Sequence, residues 1–158
     1  MAYFPLFINL EGMNVVVIGG GKVASRRVHT LLQFGCRILV IAPEICEEMR
    51  GLITDARVTW QQNTFTGFFG EERPVFVLAA ATEHVNVQVV EECKKLGIPV
   101  NDASKKERCD FYFPGIVKDG DMVVGVTAGG SDHKGAAALT AEIRERMKEI
   151  KDQRTSQV

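Results

Sequence analysis

Apolar residues in this chain alternate between short unbroken runs and helical spacings, the pattern of a parallel sheet crossed by helices. Asn14 to Ile18 predicts a first strand, and Val23 to Phe34 a helix with Val23, Val28, Leu31 and Leu32 on its inner face and Gly35 closing it. Arg37 to Ala42 predicts a second strand, stopped by Pro43, then a short helix near Glu44 to Ile53 and a third strand at Arg57 to Gln61. After Pro74, the continuous apolar run Val75 to Ala81 suits a strand covered on both faces. Thr82 to Leu96 predicts a helix capped by Gly97, and Ile98 to Asn101 a fifth strand. This order is βαβαβ, so the fold class is α/β, a Rossmann-type parallel sheet.

The pattern changes after Asn101. Asp102 to Asp110 is polar and predicts a loop, and Phe111 to Val117 and Met122 to Thr127, joined by Lys118-Asp119-Gly120-Asp121, predict a β-hairpin. Gly129-Gly130 breaks the chain before a charged helix, Lys134 to Lys151, in which Ala138, Leu139, Ile143, Met147 and Ile150 form an apolar stripe. Asp152 to Val158 is expected to fray. Residues 1–110 are thus expected to form a dinucleotide-binding domain and 111–158 a dimerisation or substrate segment. The hairpin and helix need a cover: either a second copy in a symmetric homodimer, or the chain's own sheet in a monomer.

Composition narrows the function. With 158 residues, 46% hydrophobic and 25% charged, the chain can bury one substantial core. A formal net charge of −1 gives no global reason to expect nucleic acid or an anionic membrane. No apolar run approaches a membrane span and Met1 to Leu10 lacks the features of a signal peptide, so a cytoplasmic location is expected. Cys36, Cys46, Cys93 and Cys109 show no Cys-x-x-Cys pair or short Cys/His spacing, which argues against structural zinc and a disulfide framework; no metal site is expected. Cys109 reads as a packed thiol in a segment that otherwise invites chemistry.

The chemistry is concentrated in Val15-Val16-Val17-Ile18-Gly19-Gly20-Gly21-Lys22-Val23-Ala24, a strand running into Gly-x-Gly-x-x-Ala and then a helix. In such a turn Gly19 permits the tight bend, Gly21 lets the backbone approach a pyrophosphate, and Ala24 lets the helix pack on the strand. The helix start supplies free N–H groups to the phosphates.

Further residues carry a resemblance. Tyr3-Phe4-Pro5-Leu6-Phe7, Val17 to Arg27, Val40-Ile41-Ala42-Pro43-Glu44, Ala79-Ala80-Ala81-Thr82 with Asn86, Pro99-Val100-Asn101 and Cys109 to Val117 together resemble the siroheme synthase N-terminal domain family. The resemblance covers nearly the whole chain. It implies a homodimeric precorrin-2 dehydrogenase that oxidises precorrin-2 to sirohydrochlorin with NAD⁺, and in some relatives also inserts ferrous iron. It places cofactor contacts at Lys22 and Val23 with Gly19, Gly20, Gly21 and Ala24, and at Pro43 and Glu44. Glu44 lies about 25 residues beyond the first glycine, past a proline, where the ribose-binding acid usually comes at about 20. It either binds the ribose hydroxyls or caps the next helix; the lack of an adjacent basic residue favours NAD over NADP. Ala81 and Thr82 end the fourth strand where such a sheet lines its crevice, and Thr82 equally reads as an N-cap. His29 and His84 read as solvated helix positions.

Hydride removal with loss of a neighbouring proton calls for a general base beside the cofactor. Relatives carry an aspartate three residues after the asparagine of the fifth strand; here that position is Ser104. Asp102 is the first candidate to replace it, Ser104 a proton-relay alternative and Asp110 third, against a reading in which each only shapes the loop. Lys105, Lys106 and Arg108, with Ser131, His133 and Lys134, either meet substrate carboxylates or form a solvated rim. The Gly-Gly-x-Ser-Pro of relatives is replaced by Gly129-Gly130-Ser131-Asp132-His133, and the further helical domain of many relatives is not expected here, which leaves chelation to a separate enzyme as one possibility. The competing expectation is a non-catalytic NAD-sensing or tetrapyrrole-carrier module.

Overall fold

The computed structural model describes residues 4–67 and 69–155. The chain divides into two compact units, Met1–Phe111 and Tyr112–Val158.

In the first unit, strands β1 (Asn14–Ile18), β2 (Arg37–Ile41), β3 (Val58–Gln61), β4 (Phe76–Ala79) and β5 (Val100–Asp102) form one sheet in the order β3-β2-β1-β4-β5. Every pairing is parallel, with Val15 opposite both Ile38 and Phe76. Helices α1 (Lys22–Leu31), α2 (Glu47–Leu52) and α3 (Glu83–Leu96) make the crossovers. The two-residue period of a strand divides the apolar side chains between the faces. Val16, Ile18, Ile41, Val77, Ala79 and Val100 cluster with Val89, Val90 and Cys93 of α3. Val15, Val17, Val40 and Leu78 turn to the opposite face and are completely buried, as are Ala24 and Val28 of α1 and Met49 of α2. Such two-sided burial is what the unbroken apolar run in β4 requires.

Several boundaries differ from expectation for identifiable reasons. Helix α1 starts at Lys22 and ends at Leu31, followed by a 3₁₀ turn, Leu32–Phe34, that Gly35 closes in the left-handed region at φ 71°. Val23 is 39% exposed and does not join the inner face. The buried stripe runs through Ala24, Val28 and Leu31, and Val23 is rotated off it by about 100°. Strand β4 ends at Ala79 because the next amide but one, that of Ala81, bonds the Asn86 side chain instead of the sheet. Ile98 belongs to the turn closing α3, where its N–H bonds Cys93 O, and β5 instead extends to Asp102, opposite Ala79.

The second unit contains β6 (Gly115–Asp119) and β7 (Met122–Val126), antiparallel about a turn with Gly120 at φ 56°, and α4 (His133–Thr155). The hairpin is shorter than expected because Phe111 to Pro114 stay outside the ladder, and α4 runs past Asp152 to Thr155 where fraying was expected; the rest of that tail, 156–158, lies outside the described residues. On α4 the half-buried or buried positions are Ala136, Thr140, Ile143, Met147 and Ile150, whereas Ala138 and Leu139 are exposed. Thr140 could enter the stripe because its hydroxyl is satisfied by Ala136 O at 2.6 Å. Gly115 of β6 leaves room for it: a Cβ there would stand 3.3 Å from Thr140 Cβ. Arg144 Nη2 donates to Ile116 O and Lys151 pairs with Asp119 at 2.8 Å, tying the helix to the hairpin.

Leu78, in the middle of β4, has no exposed surface. Leu78→Ala is expected to lower stability by about 2–5 kcal/mol, seen as a lower midpoint in urea unfolding.

Candidate functional site

The carboxyl end of the sheet is built around the Gly19-Gly20-Gly21 turn between β1 and α1. The strand order reverses between β1 and β4, so the two following crossovers leave on opposite faces and open a crevice at the strand ends. Gly19 sits at φ 117°, and a Cβ on it would collide with the carbonyl of Ala80 in the loop after β4. A Cβ on Gly20 would collide with the carbonyl of Glu44 and stand 2.8 Å from Ile45 Cγ2, in the loop after β2. Gly20 O also accepts the Cys46 N–H at 2.8 Å. Gly21 differs: nothing lies within 4 Å of the position its Cβ would take.

Open space at Gly21 coincides with an uncapped helix start. Gly21 is the N-cap of α1, no side chain caps it and no acidic residue stands in the first turn. By contrast α2 carries Glu47 and Glu48 in its first turn and α3 carries Glu83. The first amides of a helix have no partner within it, and the positive end of its dipole favours an anion. The residues therefore fit a pyrophosphate at Gly21, Lys22 and Val23, with Gly19 and Gly20 shaping the turn and Ala24, fully buried, seating the helix. Glu44 is exposed at the end of β2 and stands two residues before the α2 N-cap, Cys46. The first turn of α2 already carries Glu47 and Glu48. Pro43 is exposed beside it.

The loops after β4 and β5 are joined by a buried side chain. Asn86, on the inner face of α3, accepts the Ala81 N–H at 2.9 Å and donates to Asp102 Oδ1 and Ser104 Oγ, each at 3.1 Å. Asp102 Oδ1 also accepts the Ser104 N–H at 2.8 Å and its hydroxyl at 2.6 Å, and Oδ2 accepts Arg108 Nε at 2.5 Å. Arg108 reaches further to Ser104 Oγ at 3.1 Å and to Glu83 at 3.5 Å. Burial pushes the Asp102 carboxyl up, but the bonds from Ser104 and Arg108 outweigh it and hold the group below the usual carboxylate range. Half-buried Arg27 of α1 is pulled down to about 10 by desolvation, against the opposing fields of Cys109 and Asp102.

This arrangement reorders the expected roles. The Asp102 side chain is 0% exposed, so it is not presented to a ligand; Ser104 is the exposed member of the pair. Arg108, expected at a substrate rim, is committed to Asp102, Ser104 and Glu83. Asp110 exchanges bonds with Val100, its N–H donating to Val100 O and its Oδ2 accepting Val100 N–H. Cys109 is a packed thiol: it accepts the Asp102 N–H and donates to Asp102 O, both at 3.2 Å, and burial raises its pKa so that it keeps the donated proton. Thr82 occupies the N-cap position of α3 without a side-chain cap bond, and the Ala81 N–H is already taken by Asn86. Lys105 and Lys106 are exposed on the same loop. Ser131, His133 and Lys134 lie in the second unit, exposed at the start of α4, where His133 is the first helical residue. His29 and His84 are exposed on helices, as expected. Among the described residues, no three His, Cys, Asp or Glu side chains are grouped to hold a metal ion.

Asn86 is the residue whose importance the pattern reading passed over. The signal was present, since positions 86, 89, 90 and 93 share one face of α3 and a polar side chain in that stripe needs partners. Acid should expose the strength of the network. A carboxyl held low in the folded state stabilises the fold fully above its unfolded value and loses that contribution as pH falls through the folded one. Asp102→Asn is therefore expected to lower stability by about 1–3 kcal/mol at pH 7, and by progressively less as the pH falls below the ordinary aspartate range, in urea titrations across that range.

Residues 6–115 match a family model described as "Putative NAD(P)-binding". The chain is 35% identical over 130 residues to a siroheme synthase of Psychrobacter sp., covering 82% of this chain and 27% of that protein. It is 30% identical over 152 residues to the siroheme synthase of Buchnera aphidicola subsp. Acyrthosiphon pisum, covering 95% and 31%. The chain thus spans less than a third of the length of these relatives. Among solved structures, SirC, a precorrin-2 dehydrogenase, has the same fold, with a TM-score of 0.78 at 20% identity over 91% of this chain and 70% of that one. With the open glycine turn at the head of the matched region, the chain belongs to the NAD(P)-binding family of the siroheme synthase N-terminal domain.

Proposed function

We propose that this chain binds NAD⁺ and oxidises precorrin-2 to sirohydrochlorin. The observation that carries the proposal is the open, uncapped start of α1 at Gly21, at the point where the strand order reverses, in a chain similar to siroheme synthases along most of its length. Gly21, Lys22 and Val23 hold the pyrophosphate through their amides, and Glu44 holds the adenosine ribose; a carboxylate there opposes a 2′-phosphate, which favours NAD over NADP. Bound nicotinamide supplies the hydride acceptor. Loss of hydride leaves the macrocycle electron-poor and its neighbouring proton acidic, so a weak base suffices to remove it. Ser104 Oγ receives that proton in place of the hydrogen bond it takes from Arg108 Nη2, while its own proton passes to Asp102 Oδ1, 2.6 Å away. Lys105 and Lys106 meet substrate carboxylates. The exposed Leu139 of α4 and Met122 of β7 support a homodimer that covers the second unit. Four free cysteines, and no helix among the described residues long and apolar enough to cross a membrane, agree with a cytoplasmic location.

One feature favours a second reading, a sensor or carrier that binds without turnover. Ser104 Oγ accepts from Asn86 and Arg108 while donating to Asp102, so its hydrogen-bonding capacity is already filled.

Anaerobic incubation of the purified chain with precorrin-2 and NAD⁺, without iron, decides between them. Stoichiometric NADH and sirohydrochlorin are the expected products, and NAD⁺ binding without either would support the sensor or carrier. Ser104→Ala is expected to lower kcat by about 100-fold, in the range of one general acid–base group. Gly21→Asp places a charge in the open space at the helix start and is expected to abolish NAD⁺ binding in calorimetry while the circular dichroism spectrum stays unchanged. Undiminished affinity would remove the phosphate from this turn.

A further inference from the structure

We propose that Asn86 is a positioning residue that fixes Ser104 relative to the loop after β4, an inference that rests on the dehydrogenase reading. Its amide bonds both loops: Oδ1 takes the Ala81 N–H, and Nδ2 divides its protons between Asp102 Oδ1 and Ser104 Oγ. Asn86 is 0% exposed, so water does not compete for these bonds. The two loops have different partners. The loop after β4 presses on Gly19 through the Ala80 carbonyl and is thereby coupled to the glycine turn. The loop after β5 carries Ser104, whose hydroxyl also bonds Asp102 and Arg108 at that same strand end.

Asn86 adds the bond that ties this hydroxyl to the loop after β4. Ser104 Oγ accepts one hydrogen bond from Asn86 and another from Arg108 Nη2, so its own hydrogen is directed at Asp102 Oδ1. Only a side chain with both an acceptor and two donors at this length can serve both loops. A carboxylate would keep the Ala81 bond but place a second negative charge against Asp102, and a leucine of similar volume would break all three bonds. The side-chain hydrogen bonds of Asn86 go to Ala81, Asp102 and Ser104 and not to the Gly21 to Val23 amides, so its loss should leave cofactor phosphate binding largely in place. The expected signature is a loss in kcat without a matching change in the cofactor KM.

The test compares Asn86→Leu with Val89→Ala in the full chain. Val89 is completely buried on the same face of α3 and touches the core cluster, so its truncation supplies a structural loss without touching the network. NAD⁺ binding stoichiometry by calorimetry gives the folded fraction of each variant, and amide hydrogen exchange at Ala81 and Ser104 reports on the two loops without turnover. For Asn86→Leu, kcat per binding-competent chain is expected to fall about 10–100-fold, the scale of an ångström misplacement, with the NAD⁺ KM within about threefold and faster exchange at both amides. Val89→Ala is expected to keep kcat per competent chain. Equal kcat losses in the two variants, or an Asn86→Leu kcat like that of the unsubstituted chain, would overturn the inference alone. Absence of turnover in the unsubstituted chain would overturn the dehydrogenase reading and this inference with it. Should Asn86→Leu fail to fold, Asn86→Ser, too short to span both loops, enters the same comparison with the same expected split.

Discussion

Everything at the carboxyl end of the sheet depends on how closely three loops converge on two glycines. Parallel strands set side by side bring the segments after β2 and β4 against the end of β1, and there is no room for a side chain between them. Gly19 yields to the Ala80 carbonyl and Gly20 to the Glu44 carbonyl. Helix α1 begins directly after this convergence, with no side chain capping its first amides. The third glycine is then left with nothing beside it. Two glycines are consumed by packing, and one is left open.

The same economy governs charge. Helices α2 and α3 meet their own dipoles with glutamates in their first turns, whereas α1 leaves its positive end to an external anion. At the end of β5, a carboxylate without exposed surface is kept ionised by Ser104, Asn86 and Arg108. A buried charge is tolerated only when its lone pairs are filled, and here filling them immobilises the exposed Ser104. Stability and preorganisation therefore share the same bonds. The thiol of Cys109, bonding both backbone groups of Asp102, holds the strand end from the other side.

The element order, the two-sided burial of β4 and the glycine turn were legible from periodicity and turn chemistry, because strand and helix repeats differ and few residues tolerate the conformation of Gly19. Boundaries were less so. Val23 is apolar but lies off the buried stripe of α1, and Leu139 is apolar but exposed on α4. A single periodic pattern tells which spacing is present, and helix rotation by one residue is settled by packing against the sheet. Arg108 illustrates a harder case: a basic residue in a polar loop reads as a ligand contact until a buried carboxylate is found 2.5 Å from it.

Taken alone, the sequence determined the α/β class, the strand that enters the nucleotide turn and the helix that leaves it, since these follow from local residue types and spacings. Which glycine is open, which acid is buried and which polar group binds two loops were decided only by the tertiary structure. Those properties belong to residues far apart in the chain, such as Gly19 with Ala80 and Asn86 with Asp102, and a contact across that separation exists only once the sheet has brought the strand ends together.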